Sequence, residues 1–167
     1  MPRKIFFSFH YQRDSWRVNQ VRNSWLTHGT ANSFIDAAAW ETIRRKGAKS
    51  IKGWIDRQLE GTSVTVVLIG QETSDREYVL YEIERSYDLG KGLLGIYIHQ
   101  LKNEDGDSDF WAGANPFTKI ELKPTWWFEE LFPPTLADSI HTYDWVDDDG
   151  YENMPAWIEN AACNARR

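Results

Sequence analysis

The stretch SVTVVLIG, Ser63 to Gly70, constrains the fold more than any other part of the chain. It is apolar without alternation and rich in β-branched residues. A strand of that kind must be covered on both faces, which is the condition of a parallel sheet between helical layers. Two further runs are of the same type: KIFFSF, Lys4 to Phe9, and LLGIYIH, Leu93 to His99. Helical stripes separate them. Val18, Val21 and Trp25 fall at i, i+3 and i+7, with Asp14 or Ser15 available as a cap and Gly29 as a stop. Ile51, Ile55 and Leu59 continue a stripe from Ala48 that stops at Gly61. Ser74 and Glu77 form an S-x-x-E capping-box pattern ahead of a helix that carries Glu82 and ends near Gly90. SFIDA, around Phe34 to Asp36, supplies a short strand between the first two helices, so the chain alternates strand and helix up to His99.

After His99 the alternation breaks. Residues 100–141 are polar, contain proline and are rich in tryptophan, which predicts a long excursion with a helical turn around Trp126 to Leu131. HTYDWV then predicts a fifth strand. Pro155 to Ala165 predicts a closing helix with the proline near its first turn. No repeat or low-complexity linker divides the 167 residues, so residues 1–167 read as one domain. The expected class is α/β, an open and mainly parallel five-stranded sheet with helices on both faces.

Composition narrows the functional classes. A net charge of −6 argues against a nucleic-acid binder that works by neutralising phosphates. One cysteine, Cys163, excludes an intrachain disulfide and a multi-cysteine zinc site. No signal-peptide-like run or membrane span is present, so a soluble cytoplasmic protein is expected. Nine Trp, seven Tyr and eight Phe are many for this length, and such rings suit faces that meet a ring-bearing ligand or a partner.

In an open parallel sheet, ligands bind beyond the C-terminal ends of the strands. That rim receives Phe9, His10 and Tyr11 from the first strand, Asp36 from the second, and Gly70 to Thr73 from the third. Glu82 lies on the helix that follows, whose free N–H groups suit a phosphate. Phosphate-loop, dinucleotide-fold and nucleophile-elbow motifs are absent. The acidic runs NEDGDSD and DWVDDDGYE fail as calcium loops, because Leu101 or Trp145 occupies the first ligand position. His10, His99 and Asp36 make a weak metal set, and no metal is expected. Plainer readings stand beside each candidate. On spacing alone, Glu82 is a solvated residue paired with Arg85 at i, i+3. Asp36 is equally a helix cap, His10 a hydrogen-bonded strand end, and Trp40 and Trp54 core residues.

KIFFSFHYQRD, SFIDAAAWE, TSVTVVLIGQETSDREYVLYEI and GKGLLGIYIH, followed by NPF at 115–117 and YDWVDDDGY at 143–151, resemble the TIR domains. The likeness is closest to the TIR-like proteins of the bacterial Thoeris antiphage system, and it runs through nearly the whole chain in the same order. It implies a flavodoxin-like TIR fold. TIR enzymes often carry W-C-x-x-E on the helix after the third strand, and here Tyr78-Val79-Leu80-Tyr81-Glu82 lies on that pattern, with the Trp and Cys replaced. The resemblance implies cleavage of NAD at the nicotinamide–ribose bond, with Glu82 as the catalytic residue. It implies a cyclic ADP-ribose-type signal that a separate effector protein reads. NAD is then a consumed substrate and no resident cofactor is implied. Phe9, Trp40 and Tyr78 are candidates to stack on the substrate's rings; His10, Asp36 and Thr73 are candidates for sugar or phosphate contacts. The alternatives are a non-enzymatic adaptor that oligomerises, for which the aromatic excursion is suited, and a simple NAD-depleting hydrolase. A receiver-type domain is disfavoured, because VLIGQET puts Gly70 where a phosphoacceptor carboxylate is needed. Self-association or a phage-derived cue is expected to control activity.

Overall fold

The computed structural model describes residues 3–27 and 42–165. Strands β1 (Ile5–Phe9), β2 (Val64–Ile69), β3 (Gly92–Tyr97) and β4 (Thr142–Asp144) form one sheet in that order, and every pairing is parallel. The strand expected at Phe34 to Asp36 lies outside the described residues. Helices α1 (Tyr11–Thr27), α2 (Ala48–Leu59), α3 (Glu77–Asp88), the short α4 (Trp127–Leu131) and α5 (Gly150–Asn164) connect or follow the strands. No helix among the described residues is long and apolar enough to cross a membrane.

The strands sort their side chains onto two layers. Ile5, Phe7, Val64, Val66, Leu68, Leu94 and Ile96 pack with Val18, Val21 and Trp25 of α1 and with Met154, Trp157 and Ile158 of α5. On the other face, Val67, Ile69 and Leu93 meet Val79 and Ile83 of α3 together with Phe117, Ile120 and Leu136 of the excursion. Phe6 meets Ile51, Trp54, Ile55 and Leu59 of α2. The unbroken apolar runs are thus consumed on both sides, as a covered parallel sheet requires.

Several boundaries differ from the expectations. Asp14 does not cap α1. The helix begins at Tyr11, its first turn is closed by the Asp14 N–H on the His10 carbonyl, and the Asp14 side chain is buried inside. The Ser74–Glu77 capping box does not form either. Thr73–Asp75 make a separate 3-10 turn, and α3 starts after Arg76 with no side-chain cap. The closing helix begins five residues before Pro155, which therefore sits inside it rather than in its first turn. Gly29, the expected stop of α1, lies outside the described residues.

The excursion is tied down at its start. Arg17 is 1% exposed and donates to the carbonyls of Leu101 (2.8 Å) and Asp107 (3.2 Å) and to Asp14 Oδ1 (3.0 Å). Arg13 grips Asp109 with both terminal nitrogens, at 2.7 and 2.9 Å. Burial pushes the Asp14 carboxyl above its ordinary range, and the charges of both arginines oppose that shift. Removing one partner of such a buried pair leaves an uncompensated charge. Arg17→Met is expected to cost about 3 kcal/mol, which lowers Tm by roughly 6–12 °C in a chain of this size. Thermal melts of the two proteins at pH 7 check this, and an unchanged Tm would refute the clamp.

Candidate active site

Beyond the C-terminal end of β1 lies a cleft of about 590 Å3, its open mouth included. Phe7 and Phe9 reach it from β1, His10, Tyr11 and Gln12 from the turn into α1, and Arg76, Tyr78, Val79 and Glu82 from α3 and its entry. Arg44 completes the lining. The Phe9 and Tyr11 rings stack with centroids 5.3 Å apart.

Glu82 belongs to the inner part of this cleft. It is 4% exposed, so the reading of it as a solvated surface residue is wrong. Its i+3 neighbour Arg85 does not pair with it: the Arg85 Nε lies 3.0 Å from Asp56 Oδ1. Instead, Ser8 Oγ donates to Glu82 Oε2 across the gap between β1 and α3. One turn along α3, Ser86 donates to the Glu82 carbonyl at 2.6 Å and its hydroxyl meets that of Thr65, 2.7 Å away. Ser8 and Thr65 are polar positions inside apolar strands, and both face α3. They form a narrow polar seam under an otherwise apolar helix.

No cation pairs with Glu82 among the described residues. Burial raises its pKa to about 8, opposed only by the Ser8 hydrogen bond. At neutral pH the carboxyl is therefore mostly the neutral acid. A positive charge entering the cleft reverses that balance and favours the carboxylate. The site can thus stabilise a cation that it does not itself supply.

His10 is 6% exposed. Burial first, then the charge of Arg76, hold its imidazole below the ordinary range, so it is neutral at physiological pH. Its Nδ1 accepts weakly from the Arg13 N–H at 3.4 Å. Its Nε2 then carries the proton and points toward Glu72 at 3.6 Å.

Of the sequence candidates, the structure brings Phe9, His10, Tyr78 and Glu82 to one cleft. It does not bring Thr73 there. That residue is fully buried, its hydroxyl accepts the Gly70 N–H at 2.8 Å, and it serves the turn after β2. Asp36 and Trp40 lie outside the described residues. Arg44 and Arg76 were missed, because an arginine near a helix start is an ordinary surface residue by sequence. The basic side chain two positions before Tyr78, on the entry to the Glu82 helix, was the available signal.

Wild-type Glu82 binds a proton more tightly folded than unfolded, so its contribution to stability falls as pH rises from about 4.5 to about 8. A glutamine in its place escapes that loss. Glu82→Gln is expected to melt a few degrees above wild type at pH 8, with the difference closing toward pH 4.5. Paired thermal melts across this range check the sign; a variant less stable at pH 8 than at pH 4.5, relative to wild type, would contradict the burial argument.

Residues 6–103 match the family described as the TIR-like domain of the Thoeris protein ThsB. That span contains every residue of the cleft lining. The chain is also 33% identical, over 192 aligned positions, to a Bacillus cereus (strain MSX-D12) protein named "Putative cyclic ADP-D-ribose synthase ThsB1". The alignment covers 95% of this chain and 100% of that protein.

Proposed function

This chain belongs to the TIR-like family of Thoeris ThsB proteins, and we propose that it cleaves NAD at the nicotinamide–ribose bond and closes the remainder into a cyclic ADP-ribose-type signal. The signal would activate a separate effector protein in antiphage defence. The observation that carries the reading is Glu82: one buried carboxyl group, without a counter-cation among the described residues, in an aromatic-lined cleft at the ligand-binding end of the sheet.

The chemistry suits a single carboxylate. Nicotinamide departs as a neutral molecule from a cationic pyridinium, so its departure needs no general acid. One of the two carboxyl groups of an ordinary glycosidase becomes unnecessary. What develops is a ribosyl oxocarbenium ion. Glu82, ionised by the arriving positive charge, stabilises it as a preorganised group in a site of low dielectric. Ser8 holds the carboxyl in place through that change. Phe9, Tyr11 and Tyr78 provide apolar faces for the substrate's rings, and neutral His10 offers an N–H to a sugar or phosphate oxygen.

The ribosyl cation has two fates. Water gives linear ADP-ribose. A nitrogen or hydroxyl of the same substrate's adenosine half gives a ring. A well-placed intramolecular nucleophile reaches an effective molarity of roughly 10⁵–10⁸ M, far above that of water, so a site that folds the substrate back and excludes solvent favours closure.

The relative's name supports a synthase over an adaptor, and the aromatic-lined cleft around Glu82 supports the same reading. A protein contact remains part of the proposal. Trp111, Trp126, Trp127 and Phe128 of the excursion are all exposed, at 67%, 55%, 69% and 45%. Such a surface suits assembly or a phage-derived trigger, so turnover by the dilute monomer should be weak and should rise with concentration or cue.

Three outcomes are expected. Glu82→Gln should abolish nicotinamide release from NAD while the protein stays folded; wild-type turnover by the folded variant would refute the assignment. In the wild type, kcat/KM should rise with pH and level off above about 8, because it reports the ionisation of the free enzyme and the carboxylate is the working form. A flat profile between pH 6 and 9 would exclude Glu82 as the titrating group. Mass spectrometry of the products should find a species eighteen mass units lighter than ADP-ribose; linear ADP-ribose alone would reduce the protein to an NAD-depleting hydrolase.

A further inference from the structure

We infer that Arg76, with Arg44 in the same cleft lining, forms an anion subsite for the diphosphate bridge of the substrate, and that Arg76 governs substrate binding rather than bond cleavage. This rests on the reading of the cleft as a dinucleotide site.

The cleft is chemically graded. Its inner lining is Phe7, Val79 and the neutral acid Glu82, all buried. Arg44 and Arg76 are exposed, and among the described residues they are the lining's two permanent positive charges. A ligand that puts a pyridinium and its ribose against Glu82 must carry its diphosphate outward, toward the exposed part of the lining. Two guanidinium groups there complement the two negative charges of that bridge, and the planar guanidinium fork matches phosphate oxygens.

Arg76 has its donors available. It makes no side-chain hydrogen bond or ion pair among the described residues, although it sits in an acidic stretch. Asp75 pairs with Lys119 at 2.7 Å. Glu72 leans toward His10 at 3.6 Å and Arg13 at 3.7 Å. Arg76 nevertheless makes itself felt inside the cleft, since its charge is one of the causes that hold His10 below its ordinary range.

The backbone of Arg76 is anchored by two hydrogen bonds. Its N–H donates to the Thr73 carbonyl and its own carbonyl accepts from the Leu80 N–H, both at 3.1 Å. It is therefore locked at the junction of the 3-10 turn and α3, six residues before Glu82 on a continuous element. Six helical residues rise about 9 Å, a separation that one ribose and an arginine side chain together span.

The test is titration calorimetry with ADP-ribose, which carries the diphosphate but cannot lose nicotinamide, on wild type, Arg76→Gln and Arg76→Lys at low and high salt. NAD turnover is measured beside it. Arg76→Gln should bind ADP-ribose about tenfold more weakly, the scale of one charge-assisted hydrogen bond lost. The salt dependence of binding should flatten with it. Arg76→Lys should recover part of the affinity. The KM for NAD should rise while kcat stays within a factor of about three. Equal ADP-ribose affinity in wild type and Arg76→Gln, or no binding by wild type, overturns the subsite whatever the turnover. A tenfold loss of affinity in a protein that releases no nicotinamide upholds the subsite and sinks the proposed activity instead.

Discussion

The contact between Ser8 and Glu82 is the point at which sheet and helix layer agree on a chemistry. A carboxyl group in the core side of an α/β layer costs free energy unless something holds it. Here the holding group is a single hydroxyl on the adjacent strand, with no cation in support among the described residues. The consequence is a group whose charge depends on its visitor. β1 is covered on both faces and α3 packs against it, so the carboxyl sits between two packed elements.

A second buried charge system is solved in the opposite way. Asp14, equally buried, is gripped by Arg13 and Arg17, and the same arginines hold Asp109 and the carbonyls of Leu101 and Asp107. This cluster joins the excursion to α1, the helix whose entry supplies His10, Tyr11 and Gln12 to the cleft. Gly70 shows how tightly it is packed: a Cβ there would lie 2.2 Å from Asp14 Oδ2. One buried carboxyl is thus held by two arginines and the other by a single hydroxyl.

What the sequence made legible follows from the physics of each element. SVTVVLIG, KIFFSF and LLGIYIH were readable as covered parallel strands because their composition admits no exposed face. The helices on Val18, Val21 and Trp25 and on Ile51, Ile55 and Leu59 were readable from spacing. Glu82 was not readable as special from spacing, which favoured a pair with Arg85; only the TIR resemblance singled it out. Ser8 was hidden because a serine inside an apolar strand says nothing of its partner until the register with α3 is known. The capping pattern at Ser74 misled because a 3-10 turn absorbs that serine before the helix starts. Pro155 misled because a proline is a strong sign of a first turn, yet α5 tolerates it further in. Thr73 was rightly placed after β2, but its hydroxyl is spent on the Gly70 N–H.

The excursion divides into parts of different mechanical standing. Its early part is keyed to the sheet: a Cβ at Gly113 would fall 2.4 Å from the Gly70 carbonyl oxygen, so that stretch of backbone is pressed against the end of β2. Further on, Glu121 bridges to Thr135 and the Leu122 N–H donates to the Pro134 carbonyl at 2.7 Å. The chain between these residues, Lys123 to Pro133, therefore leaves and re-enters the body at one closed gate. It carries the exposed rings of Trp126, Trp127, Phe128 and Phe132, and α4 contributes no buried side chain to the rest. Such a stretch is a cassette: an engineer can exchange its length and composition while the gate leaves the rest of the molecule in register.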